Sequence, residues 1–367
     1  MRVGVDAAVV DGALLAGDVE VVDGEVTAVG LPAAGSGRIA APGFVDLQVN
    51  GFAGVDLLTT DEDGVAAASQ ALVATGVTAW QPTLITSTEA DAIAAARRVE
   101  AAARRGEGAA ILGVHLEGPF LAPERLGTHP VAHRRDPDLA LLDRLLEAAS
   151  VTSVTLAPEL PGALELVDHL HRRGVVVAAG HSDATASQAH AAFDRGVRTV
   201  THLFNAMRRF SPRDPGIAGA ALGRPDVAVQ IIADRLHLAD DTVRLVARAA
   251  AGRLVLVTDA IAAAGLGPGT YPLGEVAITV DGDDAARRAD GTLAGSVLTM
   301  SAAVRNLVEL GVPLATAVTA ATAAPARVLG RDDVGALRPG ARADVVVIDE
   351  EVTVHRVLRS GREVVPT

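Results

Sequence analysis

Eight apolar runs of strand length, separated by stretches of helical character, constrain this chain more than any other feature of its sequence. The runs cover residues 44–50, 77–84, 110–118, 151–159, 175–181, 199–205, 227–234 and 253–260. Helical, alanine-rich stretches lie near 61–75, 88–105, 137–149, 161–173, 185–195, 239–250 and 297–310. Each run is apolar enough to be buried on both faces, as the strands of a parallel sheet are. Eight such units over about 290 residues fit a closed (β/α)8, TIM-like barrel of the α/β class. A doubly wound sheet is the rival, but no glycine-rich dinucleotide turn follows the first run.

The two ends of the chain read differently. Residues 19–22 and 25–29 flank Asp23-Gly24, a hairpin signal. Residues 344–348 and 352–358 repeat the pattern, with a turn at Ser360-Gly361. One small β-sandwich domain is therefore expected from residues 1–42 and 340–367, joined to a barrel at 43–339 through Pro42-Gly43 and Arg338-Pro339-Gly340. A β insertion is expected near 262–296, with a strand-like segment at 274–280.

Composition removes several kinds of chemistry. The chain has no Cys, hence no disulfide, thiolate nucleophile or cysteine zinc site. It also has no Lys, so all 32 basic residues are Arg. Schiff-base lysines, a P-loop and a metal pair bridged by a modified Lys are excluded. With 45 acidic residues the net charge is −13, which argues against a nucleic-acid or anionic-membrane surface. The segment MRVGVDAAVV carries Asp6 and does not resemble a signal peptide, and no 18-residue apolar window suggests a span. A soluble, cytoplasmic protein is expected.

In a barrel of this kind chemistry sits where strands end. Here the ends carry Gln48 and Asn50, Glu117, His181, His202, Asp234 with His237, and Asp259. A lone histidine there is more often a hydrogen-bonded rim residue. Glu117, His181 and His202 together form a plausible shell for a divalent ion, with coordination positions left open for catalysis. Asp259, at the same mouth, suits a general base, although a turn aspartate is common there. Asn50 also suits the turn before Gly51. Arg213, with Arg208 and Arg209 nearby, suggests an anionic substrate group. His115 shares a strand face with Glu117 and is expected to support it from inside the barrel. His133, His169, His171, His190 and His355 have no motif around them.

The motifs PGFVDLQVNGFAGVD, GVHLEGPF, Gly-Thr-His at 127–129, AGHSDAT, THLFNAM, IIADRLH, VTDA and GTLAGS follow one another as in the N-acetylglucosamine-6-phosphate deacetylases of the amidohydrolase superfamily, which the chain resembles from about residue 40 to 345. The resemblance implies Glu117, His181 and His202 as metal ligands and Asp259 as catalytic acid/base. It implies Thr128, His129, Asn205, Ala206, Arg213, Asp234, His237, Leu293, Ala294 and Gly295 as substrate contacts. In the family the phosphate-directed Arg reaches across from a neighbouring subunit, so a homodimer is implied, with Arg213 and His237 acting across the interface. Gln48 and Asn50 stand where many superfamily members have a His-x-His for a second metal, which implies one ion, with zinc leading and iron, cobalt or manganese as alternatives. Arg235 stands where relatives carry Gly, either as an added phosphate contact or as a filler of the pocket.

The implied reaction is hydrolysis of the acetamide of N-acetylglucosamine 6-phosphate to glucosamine 6-phosphate and acetate. Alternatives are another acylated amino-sugar phosphate, such as N-acetylgalactosamine 6-phosphate, or a sugar-phosphate-binding homologue without catalysis. The expected partner is a small amino-sugar phosphate, with neither nucleic acid nor membrane.

Overall fold

The computed structural model describes residues 1–364. Each of the eight runs contains a strand: β1 Phe44–Val49, β2 Val77–Ile85, β3 Val114–Glu117, β4 Val151–Leu156, β5 Val176–Ala179, β6 Val197–Val200, β7 Ala228–Ile231 and β8 Leu254–Leu256. Each pairs in parallel with the next, from β1 to β8. The result is a nearly closed eight-stranded barrel whose interior is aliphatic, with Trp80 and Phe44 the largest buried side chains.

The seam between β8 and β1 closes by other means. A parallel bridge joins Val49 to Ala260, and the Asp259 amide donates to the Gln48 carbonyl at 2.9 Å. Deeper in the seam the fully buried Asp46 carboxyl takes over. It accepts from the Thr258 hydroxyl at 2.6 Å, the Thr258 amide at 3.2 Å and the Gln48 amide at 3.3 Å. A side chain thus supplies acceptors where the strands supply no regular ladder, immediately beneath Asp259.

Two strands depart from the expected bounds. The third run is broken: Ala110–Ile111 pairs with β2, and Gly113, at φ +108°, turns the chain before Val114. The sixth strand ends at Val200, short of His202, because the backbone leaves extended geometry. His202, Phe204 and Ala206 have φ of +26°, +75° and +48°, a departure that apolar continuity does not signal.

The seven expected helices form, from Glu62–Val73 to Met300–Glu309. Three short ones, Gly216–Leu222, Leu314–Ala320 and Ala323–Val328, were not expected. The first contains two glycines and the last a proline, both poor helix formers. All three are composed mainly of small residues and lack the polar face that makes a helical period visible.

Both chain ends join one six-stranded sheet, ordered Ala13–Ala16, Ala7–Val10, Ile39–Pro42, Val345–Ile348, Val354–Arg359, Arg362–Glu363. Its two halves meet where Val345 pairs with Pro42. The hairpin Asp18–Val22 and Glu25–Leu31 packs on it, over a core separate from the barrel's that includes Val3, Val19, Val26, Val345 and Leu358. After β8 the chain makes an antiparallel sheet, Gly269–Leu273, Val276–Val280 and Ala286–Arg287.

The seam yields a stability prediction. Burial lifts Asp46 from 3.8 to about 7, against the Thr258 hydrogen bonds. A carboxyl raised in the folded state contributes stability that is complete below about pH 4 and is lost as pH rises through about 7. Chemical denaturation should therefore show the parent chain losing stability relative to Asp46→Asn between about pH 4 and 7. A difference that stays flat with pH contradicts the assignment.

Candidate active site

Glu117 is the last residue of β3 and points into the barrel mouth. His181 and His202 each lie two residues beyond the end of their strands, β5 and β6. Their φ angles, +48° and +26°, and that of Asp259, +52°, fall in the left-handed region that non-glycine residues avoid. Such conformations cost about 1–3 kcal/mol each and persist only where surrounding contacts impose them. Here they turn the three side chains toward one point.

At that point Glu117 Oε1 is 3.1 Å from His181 Nε2 and 3.0 Å from His202 Nε2, and the two Nε2 atoms are 3.1 Å apart. His181 Nδ1 faces the Arg125 carbonyl at 2.9 Å and so carries the proton. With a proton on Nδ1, an Nε2 that bears no second proton faces a carboxylate oxygen, which also only accepts. A cation resolves this conflict between acceptors, and two imidazoles with one carboxylate suit a divalent metal. Burial opposes the charge on Glu117, but its contacts with the imidazoles of His181 and His202 hold it well below the usual range. Burial also opposes a charged His202, yet the Glu117 hydrogen bond and charge raise it above 6.5.

Asp259 stands beside this cluster. Its Oδ1 accepts from Asn50 Nδ2 at 2.7 Å and from Gln48 Nε2 at 3.1 Å, and the same Gln48 nitrogen donates to Glu117 Oε1 at 3.0 Å. One neutral amide thus ties the two carboxylates together. Burial and the charge of Glu117 push Asp259 up to about 6, against His202, His237 and Asn50.

His129 lies on the other side, with Nε2 3.7 Å from Glu117 Oε2. The donor atoms of Glu117, His129 and His181 fall within 4.8 Å of one another, so His129 is a candidate ligand by distance. Its tautomer argues otherwise. The Thr86 amide donates to Nδ1 at 3.2 Å, so the proton sits on Nε2 and that atom is a donor aimed into the site. Burial and the nearby His181 lower His129 to about 3, which keeps it neutral.

These groups line a cavity of about 460 Å³ together with Asn50, Thr128, Asn205, Ala206, Arg209, His237, Leu293 and Gly295. His237 faces this chain's own cavity. Asp234 stands behind it, accepting from His237 Nδ1 at 2.7 Å and from the amides of Leu236 and His237. Burial opposes ionised Asp234, but the His237 hydrogen bond and charge lower its pKa. Ala294 is buried just outside the wall. Arg213 is exposed and outside it. Arg235 points away from the cavity: its guanidinium pairs with Glu309 at 2.6 Å and lies 3.8 Å from Asp240. His115 is buried between Thr83 Oγ1 at 3.0 Å and Thr155 Oγ1 at 2.8 Å, and burial lowers it to about 4.

A model of the amidohydrolase family matches residues 39–364. The chain belongs to the amidohydrolase family. It is 40% identical over 340 residues to the N-acetylglucosamine-6-phosphate deacetylase of Homo sapiens, covering 89% of this chain and 83% of that one. It is 39% identical over 330 residues to the N-acetylgalactosamine-6-phosphate deacetylase of Escherichia coli O157:H7, covering 89% and 87%. The structure of a mutant N-acetyl-D-glucosamine-6-phosphate deacetylase from Mycobacterium smegmatis, in complex with N-acetyl-D-glucosamine-6-phosphate, superposes with a TM-score of 0.94 at 37% identity, covering 100% of this chain and 99% of that one.

Three features of this amidohydrolase site went unread in the sequence: the Asp46 clamp, the Thr86 contact to His129 and Arg125 behind His181. These contacts act across 43 to 212 positions, two of them through backbone atoms, so no local pattern marks them. Arg209, expected from its Arg-rich loop, stands on the cavity wall.

The raised His202 gives a measurable sign. A proton that His202 holds in the metal-free protein must leave when an ion binds. Zinc titrations in buffers of different ionisation enthalpy should show proton release that grows as pH falls toward 6, with weaker affinity. Glu117→Gln should reduce that release as well as the affinity. Release independent of pH contradicts the coupling.

Proposed function

We propose that this chain hydrolyses the acetamide of N-acetylglucosamine 6-phosphate to glucosamine 6-phosphate and acetate. The observation that carries this reading is the meeting of Glu117, His181 and His202 beside Asp259, in a cavity that also presents the Nε2–H of His129. We take the ion to be zinc, which two imidazoles and a carboxylate suit, and to be single, because the Gln48 amide already donates to both Glu117 and Asp259, at 3.0 and 3.1 Å. A divalent ion on Glu117, His181 and His202 would acidify water and polarise the amide carbonyl.

The chain's own groups account for the remaining chemistry. Both amide donors bind Oδ1 of Asp259, which leaves Oδ2 for proton transfer. Asp259 takes the proton of the attacking water as the new C–O bond forms. It returns that proton to the amine nitrogen as the C–N bond breaks, so the amine leaves neutral. His129 Nε2–H donates to the carbonyl oxygen as charge builds there. Thr128, Asn205, Ala206 and the loop at Leu293, Ala294 and Gly295 hold the sugar, and His237, oriented by Asp234, faces its phosphate end.

In the same proposal Arg213, exposed and outside its own cavity, reaches the phosphate bound by a neighbouring copy in a homodimer. The chain divides into a β-sandwich, 1–42 with 340–367, of which 365–367 lie outside the described residues, and a barrel, 43–339, and works in the cytoplasm. Arg235, paired with Glu309, is left out of phosphate binding. N-acetylgalactosamine 6-phosphate is the second substrate reading, favoured by the Escherichia coli relative. A non-catalytic binding role is disfavoured by the presence of the full set of polar groups.

Acetate release by zinc-loaded protein, compared across both epimers and their unphosphorylated sugars, tests the reading. The glucosamine 6-phosphate precursor should be turned over fastest, and absence of acetate sinks the proposal. Asp259→Asn should keep its metal and substrate affinity while kcat falls about 10²–10⁴-fold. Near-parental turnover in that variant removes Asp259 from its role.

A further inference from the structure

The loop after β6 carries two adjacent arginines with opposite fates. Arg208 is anchored: its Nε donates to Asp214 at 2.6 Å and its Nη1 to Asp183 at 2.9 Å. Anchoring Arg208 under the loop leaves Arg209 to project from it, exposed, onto the cavity wall. Among the described residues the Arg209 guanidinium has neither a hydrogen bond nor an ion pair. The other guanidinium on that wall, Arg125, is neutralised by Asp183 through Nε at 2.8 Å and Nη2 at 2.6 Å. The wall's carboxylates are Glu117, Glu124 and Asp259. Arg209 is therefore the one uncommitted guanidinium there among the described residues, in a chain of net charge −13.

An anionic ligand entering such a mouth meets repulsion from the chain as a whole, and a local unpaired cation offsets it. A guanidinium also matches the planar fork geometry of two phosphate oxygens. We propose that Arg209 is a specificity-determining contact for the phosphate of the substrate, supplied by the same subunit that supplies the metal ligands. This deepens the deacetylase reading and rests on it. Arg208 acts through Asp183 and Asp214 as a positioning residue that fixes the direction of its neighbour.

The test compares zinc-loaded parent protein with Arg209→Ala and Arg209→Lys. For N-acetylglucosamine 6-phosphate, Arg209→Ala should raise KM about tenfold or more, the range for losing a charge-assisted hydrogen bond. The parallel change for unphosphorylated N-acetylglucosamine should be far smaller. The Ki of inorganic phosphate should rise with the phosphorylated KM. Arg209→Lys should fall between, since it keeps the charge and loses the fork. Equal KM changes on the two sugars, or an unchanged phosphate Ki, overturn the assignment. If the parent protein releases no acetate, the deacetylase reading fails on its own terms. Calorimetric titration with inorganic phosphate then decides the role of Arg209: weaker binding in Arg209→Ala supports it, and equal binding overturns it.

Discussion

A carboxylate buried among apolar strands is costly unless its lone pairs are met, and the Glu117 carboxylate is met from three directions. Two imidazoles and the Gln48 amide converge on Oε1 within 3.1 Å. That convergence requires β1, β3, β5 and β6 to end at one mouth, which only a closed barrel provides. It also requires left-handed backbone at His181 and His202, conformations that neither residue would adopt unaided. The Asp46 clamp belongs to the same logic. It holds β1 against β8 where the ladder is thin, and so fixes Gln48 and Asp259 relative to each other.

The two carboxylates of the site are pushed apart in acidity by the contacts that place them. Contacts with the two imidazoles lower Glu117, whereas burial and the neighbouring charge of Glu117 raise Asp259 to about 6. One group is thereby suited to remain a charged ligand and the other to exchange protons near neutral pH. Gln48 makes the division possible without a second cation, because its neutral amide donates one proton to each. His129 completes the arrangement through a tautomer set by a backbone amide rather than by its own acidity.

Much of this was legible in the sequence for a physical reason. Strands buried on both faces are mostly apolar, so all eight barrel strands stand out, as do the polar groups that end them. Short helices built from small residues, such as Leu314–Ala320, lack contrast between faces and leave no period to read. Asp46 and Thr258 are 212 positions apart, and neither differs locally from an ordinary strand residue. Arg235 illustrates a different limit. Its residue type suits a phosphate, but φ of +66° directs its side chain to Glu309 instead. Asp234 was expected among the substrate contacts and stands one residue further back, holding His237.

The central claim is that one divalent ion, held by Glu117, His181 and His202, serves a single acid/base, Asp259. Titrating metal-free protein with zinc while following acetate release from N-acetylglucosamine 6-phosphate tests it most directly. Activity should rise linearly and stop at one equivalent per chain. A rise that continues to two equivalents, or activity that persists without added metal in chelator-treated protein, would contradict the account.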